Sequence, residues 1–427
     1  MLVTPASPPV LRNAVLPVAG GVSAAAWGAL AWQSHTAGAP LVAMLATMAV
    51  AWAALGWAVW RAPRASAAMT LGFALGFRLI AFFAVPVMED DHHRFLWDGY
   101  RFAATGDPYA EPPQARFADE TITPEFRAVL DRINHPDVPT VYGPATQWAF
   151  RAAHAIAPTR LWPWKLILLG AELAIFALLW GELSARSRLL LAWCPLAIFE
   201  TGFNAHPDAL ALTLLVAAWR LGAGGRGIAA GAVLGAAVAA KIFAVLLAPF
   251  VLWRLGWRAW VAAAGAVLVF YGPFWLRGSA ADLAGLRAMA GEWEFNSSVH
   301  ALVAAVASPA IARAGCAVAF GAVWLALFLR WTKSPVAAPP PGAWVYGAFL
   351  LLSAVANPWY ALWLWPFVAQ RPSVTGIAAL AAVSLTYVTG LNLGDATLGN
   401  FGHPAWLRPV EFGVIAVAAL WDWRRKK

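Results

Sequence analysis

Apolar runs of about 20 residues recur along almost the whole chain, and they restrict it to one kind of architecture. At helical rise such a run covers about 30 Å, the thickness of a hydrocarbon core. Lipid offers no partner for a bare N–H or C=O, so each run has to close its hydrogen bonds internally as a helix. The runs fall at 11–32, 41–60, 67–87, 161–180, 189–203, 207–219, 227–253, 257–276, 313–329, 343–356, 359–367, 374–391 and 405–423. Several are short for a full crossing, as expected of helices that line a cavity. Only 12% of the residues are charged and 61% are hydrophobic, against about 25% charged in soluble domains. The expected fold class is therefore an all-α polytopic membrane protein. Arg12 alone flanks the first run, and further runs follow at once, so that run reads as a retained helix and not a signal peptide.

The net charge is +9, yet the basic residues stand singly or in pairs between apolar runs. That spacing is a topology signal and excludes a nucleic-acid-binding patch. Arg61/Arg64, Arg186/Arg188, Arg220/Arg226, Arg254/Arg258, Arg330/Lys333, Arg371 and the terminal Arg424, Arg425, Lys426 and Lys427 share one side if the runs alternate. The positive-inside rule makes that side cytoplasmic. Because Arg226 and Arg254 flank the run 227–253 on the same side, that run has to be two half-spans turning near Lys241. The expectation is a bundle of about 12–14 crossings with both termini inside. Many of the 26 tryptophans sit at run ends, where indoles anchor at headgroup level. Cys194 and Cys316 both lie in apolar runs, which argues against a disulfide or a metal site. The Pro-rich segment 334–342 reads as a cytoplasmic linker between an N-terminal catalytic module, 1–333, and a C-terminal bundle, 343–427. No internal repeat of the kind many transporters carry is visible.

This topology puts the one long polar loop, 88–160, outside, together with Asn204/His206/Asp208, Lys241, 277–298, 357–360 and 392–404. Nucleotide sugars are cytoplasmic, so an enzyme working on the outer side needs a lipid-linked activated donor. Within the loop, 90–104 reads as an amphipathic helix ended by Gly106 and Pro108. Thr123–Pro124 looks like the start of a second helix, and 145–156 like an interfacial third. The loop opens with Glu89, Asp90, Asp91, His92, His93 and Arg94. A carboxylate of this run is a competent base toward a sugar hydroxyl, and two adjacent ones repel, which raises one pKa. The competing use is a solvated helix start with Arg94 paired to Asp90 or Asp98. A divalent cation is a further alternative, but neighbouring side chains on a helix diverge by about 100° and need a partner from elsewhere. Arg78 lies inside an apolar run, where a guanidinium is either a functional cation or a partner of Glu172 or Glu200. Arg94, Arg101 and Lys241 are the other cations on this side for stabilising a departing phosphate. Glu292, Asn296 and His300 add polar groups there.

The run DDHHRFLWDGYRFAATGDPY, 90–109, resembles the first outer loop of the GT-C membrane glycosyltransferases. Among them it is most similar to the bacterial polyprenyl-phosphate-mannose-dependent mannosyltransferases. The resemblance is carried by Asp90–Asp91, Arg94, Trp97–Asp98–Gly99 and Gly106–Asp107–Pro108–Tyr109, then in order by VYGPATQ (141–147), NAHPDAL (204–210), Lys241, FNSS (295–298) and NPWY (357–360). Phe95 in place of a tyrosine, His92–His93, and Asp107 in place of an asparagine depart from that pattern. The resemblance implies a GT-C-like bundle with short amphipathic helices on its large first outer loop. It implies inverting transfer of a hexose, mannose first, from a polyprenyl-phosphate donor to an extracytoplasmic glycolipid, polysaccharide or protein acceptor, at the bacterial cytoplasmic membrane. Asp90 or Asp91 would be the base, with Asp91 slightly preferred. Arg94, Lys241 and Arg78 would hold the donor phosphate. His93, Trp97, Asp98, Tyr109, Tyr142, Gln147, His206, Asp208, Asn296, Trp359 and Tyr360 would bind sugar and acceptor. No metal or cofactor is implied, and the isoprenoid would lie in an apolar groove open to the bilayer. Two other readings stand beside it: a lipid or glycan transporter, which predicts charges deep in several spans, and a polymerase or ligase of lipid-linked glycans.

Overall fold

The computed structural model describes residues 9–36, 41–62, 65–87, 90–335, 338–389 and 402–425. Glu89, the side chain of Glu292 and positions 392–401 of the segment expected outside therefore lie outside the described residues. The described residues form helices joined by turns and irregular segments, and the one extended pairing among them is an isolated parallel bridge between Phe295 and Val355. Four helices are long and apolar enough to cross a membrane: Ala14–Ser34, Val42–Arg61, Trp162–Glu182 and Pro309–Thr332. Shorter apolar helices follow at Ala67–Phe83, Gly227–Ala240, Ile242–Leu252, Gly342–Leu352 and Val374–Val388. The chain is an all-α membrane protein.

Two compact units are distinguished, one of 1–87, 179–203 and 365–427, the other of 88–178 and 204–364. In the first, Trp193 anchors the Ala67–Phe83 helix. Its indole donates to the Thr70 carbonyl (2.8 Å) and meets Phe73 and Phe77 edge-on at 5.5 and 5.4 Å. The expected span 189–203 is interrupted. A short helix, Ala185–Ala192, gives way at Pro195 to a π-helical turn, Ile198–Phe203, because proline cannot donate into the preceding turn. Buried Glu200 on that turn accepts from the Tyr387 hydroxyl.

The second unit contains the long polar loop, 88–160. Its first helix, Asp91–Thr105, ends where Gly106 adopts φ 73° and returns its N–H to the Phe102 carbonyl, a left-handed stop that glycine makes without strain. The loop's other two helices are Pro124–Leu130 and Pro144–Ile156, each starting on proline. Thr123 supplies the extended backbone of a cap, but its hydroxyl makes no capping bond. Gly99 packs against the Phe150 carbonyl, where an added Cβ would sit 2.6 Å from the oxygen, so Asp91–Thr105 and Pro144–Ile156 lie nearly backbone to backbone. The run 227–253 is broken where the charge pattern required it. The Gly227–Ala240 helix stops at Lys241, whose backbone is extended (φ −153°, ψ 127°), before a 3-10 turn, Ile242–Leu247.

Small residues bring Gly227–Ala240 close to Trp257–Trp275. A Cβ on Gly231 would collide with the Ala259 carbonyl, and one on Gly235 with that of Ala263. Backbone cannot step aside as a side-chain tip can, so the helices must part to accept a methyl group. Gly231→Ala should cost about 1–3 kcal/mol and lower the detergent-solubilised midpoint. An unchanged midpoint would show that the pair tolerates separation.

Candidate active site

Helix Asp91–Thr105 and the non-helical strap 131–143 that precedes Pro144–Ile156 build the acidic centre. Asp90 is the helix cap and Asp91 its first residue, so their carboxyl groups emerge together at the helix start. Asn134, from the strap, bridges them: its amide nitrogen donates to Asp90 Oδ1 at 2.5 Å and to Asp91 Oδ1 at 2.8 Å. Tyr142 donates to Asp91 Oδ2 at 3.1 Å, and His206 Nε2 lies 3.6 Å from the same oxygen. The two acids are thereby made unequal. Burial and the neighbouring Asp91 charge push Asp90 up to about 6. Burial also raises Asp91, but His206, Asn134 and Tyr142 outweigh it and hold that carboxyl at about 2.

His206 is positioned from two directions. Its ring stacks on Trp359 at 4.2 Å with 14° between planes. It follows Ala205, which adopts φ 63° and whose carbonyl accepts from the Trp164 indole at 2.8 Å. A left-handed alanine costs about 1–2 kcal/mol, and such strain concentrates at working sites. Two residues on, Asp208 is fully buried and accepts from Lys241 Nζ and from Trp363 Nε1, each at 2.6 Å on Oδ1. Its Oδ2 has no hydrogen-bond partner among the described residues. The Lys241 ammonium also sits over the Tyr360 ring at 4.7 Å. The NPWY stretch thus supplies one wall for His206 and another for Lys241. It is tied to FNSS through the bridge, with Phe295 N–H donating to Ala354 O (3.0 Å) and Ala356 N–H to Phe295 O (2.8 Å). Asn296, buried with φ 48°, follows that bridge.

Other expected site residues make structural contacts. Arg94 is buried, donating from Nε to Asp98 Oδ1 (3.1 Å) and from Nη2 to Val138 O (2.8 Å). Asp98 also accepts from Thr140 (2.5 Å) and Gln147 (2.8 Å), so both hold the strap against the helix. Burial raises the Asp98 carboxyl, with Arg94 opposing. Trp97 belongs to an apolar cluster with Ile122, Phe126 and Leu130. Tyr109 donates to the Tyr142 carbonyl at 2.9 Å. The His93 ring lies tilted against that of His92, 4.0 Å apart and 37° between planes, and burial with the Arg132 charge lowers His93 to about 4. Arg78 belongs to the other unit, where it donates to the carbonyls of Ala74 (3.2 Å) and Ala192 (2.7 Å). Among the described residues no three His, Cys, Asp or Glu side chains are grouped to hold a metal. Asn134, Thr140 and Trp363 were not legible beforehand. For Asn134 a faint signal exists: His-Pro-Asp follows it at 135–137 and recurs at 206–208.

The decisive finding is that a family model described as the N-terminal domain of alpha-(1->6)-mannopyranosyltransferases, the MptA_B family, matches residues 9–257, more than half of the chain. The chain belongs to this family. It is a membrane mannosyltransferase, and the expectation of a mannosyltransferase read from the run 90–109 is borne out. No curated protein and no solved structure matches it. Within the mannosyltransferase, residues 9–257 include the aspartate pair, Asn134, His206, Asp208 and Lys241, whereas Asn296 and NPWY lie beyond the matched span.

Proposed function

We propose that this mannosyltransferase makes an alpha-(1->6) linkage on the extracytoplasmic face of a bacterial cytoplasmic membrane, using a polyprenyl-phosphate mannose. The observation that carries the reading is the unequal aspartate pair standing at His206, in the same unit as the buried Asp208–Lys241 pair. Asp90, with the higher proton affinity and Asn134 as its side-chain partner, takes the proton of the acceptor 6-hydroxyl as that oxygen attacks the anomeric carbon. The bond from that carbon to the phosphate oxygen breaks, its electron pair leaves with polyprenyl phosphate, and the configuration inverts. Asp91 stays ionised and faces the positive charge developing on the sugar ring. Lys241 has N–H donors beyond the one bonded to Asp208 and stabilises the departing phosphate. The unsatisfied Asp208 oxygen accepts from a mannose hydroxyl. Arg94 acts indirectly by fixing Asp98 and the strap.

The test is transfer by purified protein in nanodiscs, offered beta-linked polyprenyl-phosphate mannose or a nucleotide-linked mannose, with a mannoside acceptor. An alpha-(1->6) product from the lipid donor alone is expected. Use of the nucleotide donor, or retention of the beta configuration, would overturn the reading.

A further inference from the structure

We infer that Asn134 is a positioning residue that does with an amide what a bridging cation does in other paired-carboxylate sites: it holds two adjacent carboxyl groups in one geometry while both are ionised. The inference rests on the proposed role of the pair. Two carboxylates on consecutive residues repel, and adjacent side chains at a helix start diverge. Without a shared donor they would splay apart. One nitrogen placed 2.5 Å from Asp90 Oδ1 and 2.8 Å from Asp91 Oδ1 supplies both with a hydrogen bond, and its second proton makes the simultaneous contact stereochemically sound.

The strap keeps Asn134 in place by contacts that do not involve the acids. Arg94 donates to the Val138 carbonyl, Thr140 donates to Asp98, the His135 ring lies tilted against Trp293 at 4.7 Å, and Gly285 abuts the carbonyls of Pro139 and Thr140. A donor held by so many independent contacts is preorganised, which is what an ionic bridge otherwise requires a metal to provide. The charged and titratable groups around the pair are His206 and Tyr142 facing Asp91, His93 one turn along the helix, Arg132 beside His93, Arg94, and Tyr360, which senses Asp91. Burial and Asp91 raise Asp90, and Asn134 opposes them.

The experiment compares wild-type, Asn134→Ala and Asn134→Asp proteins in the nanodisc assay, recording kcat/KM against pH and the response to Mn²⁺ and EDTA. Wild-type activity is expected to be indifferent to both additions. In Asn134→Ala the acidic limb should move up by about one pH unit, about a fivefold loss at pH 6 that approaches tenfold further down the limb, with donor KM within about twofold. Asn134→Asp adds a third carboxylate: its limb should move further up, and Mn²⁺ should restore it at least tenfold while leaving Asn134→Ala unchanged. Metal binding is read separately by titrating Mn²⁺ with electron paramagnetic resonance. Unshifted limbs in both variants, or wild-type protein that needs Mn²⁺, would overturn the inference. If Asp90→Asn and Asp91→Asn are inactive in the same assay while the Asn134 limbs stay fixed, only this inference fails. If all variants are fully active, the reading of the pair fails with it.

Discussion

Asp90→Asn should lower kcat by about 10³, within the range a general base supplies, with donor KM within about twofold. Asparagine keeps the shape and a hydrogen-bonding oxygen for Asn134 but cannot take a proton. The pH profile separates the two acids. Asp90 titrates at about 6, and the base works only when deprotonated. Wild-type kcat/KM should therefore hold above pH 6 and fall about tenfold per unit below it. Asp91→Asn removes the neighbouring negative charge that helps to raise Asp90, so its residual activity should show an acidic limb moved to lower pH. It should also be a poor enzyme, since Asp91 gathers Tyr142, Asn134 and His206. Asp90→Asn should show no limb in this region. Wild-type kcat in Asp90→Asn with inactive Asp91→Asn would reassign the base to Asp91, and full transfer by both and by the double variant would remove the pair from the chemistry.

The second large effect belongs to Asp208. Its side chain is fully buried and receives Lys241 and Trp363 on one oxygen at 2.6 Å. Asp208→Ala strands an ammonium and an indole N–H. Breaking such a pair from one side costs about 3–5 kcal/mol, so a large fall in the midpoint in detergent is expected. Lys241→Met should also lower the midpoint, because it leaves the fully buried carboxylate with the indole alone. Its clearer effect is on the donor: loss of a charged hydrogen bond to phosphate, about 1.5–3 kcal/mol, corresponds to donor KM raised roughly ten- to hundredfold. The double variant should be more stable than Asp208→Ala alone, since no stranded charge remains. If Lys241→Met keeps both donor KM and kcat, Lys241 serves only to neutralise Asp208. If Asp208→Ala melts with the wild type, the buried pair contributes nothing to the fold.

Much of this molecule was legible from residues because the relevant physics is local. An apolar run must be helical in lipid whatever surrounds it. A helix that meets Gly106 and Pro108 must stop, and it does so at Thr105. The break at Lys241 followed from basic residues flanking a run that was too long to be a single half-crossing, and the extended backbone at Lys241 is where it falls. The acidic pair, His206, Asp208 and Lys241 were all candidates by residue type and order.

Roles were less legible than places. Arg94 reads as a phosphate ligand from its motif, yet the structure spends its guanidinium on Asp98 and Val138. Trp97, expected to bind sugar or acceptor, packs in an apolar cluster. Asn134 lies 43 positions from Asp91 in a strap with no periodicity to place it, and Trp363 reaches Asp208 across 155 positions. Residue order was enough for a helical membrane protein with one long polar loop that opens on acidic residues, because hydrophobic length and charge spacing act within a single segment. Tertiary structure alone decided which aspartate is left with the higher proton affinity. That choice depends on Asn134, Tyr142 and His206 arriving at the carboxylates from three other stretches of chain, and electrostatic and hydrogen-bond energies are set by distance in space, not by separation along the chain.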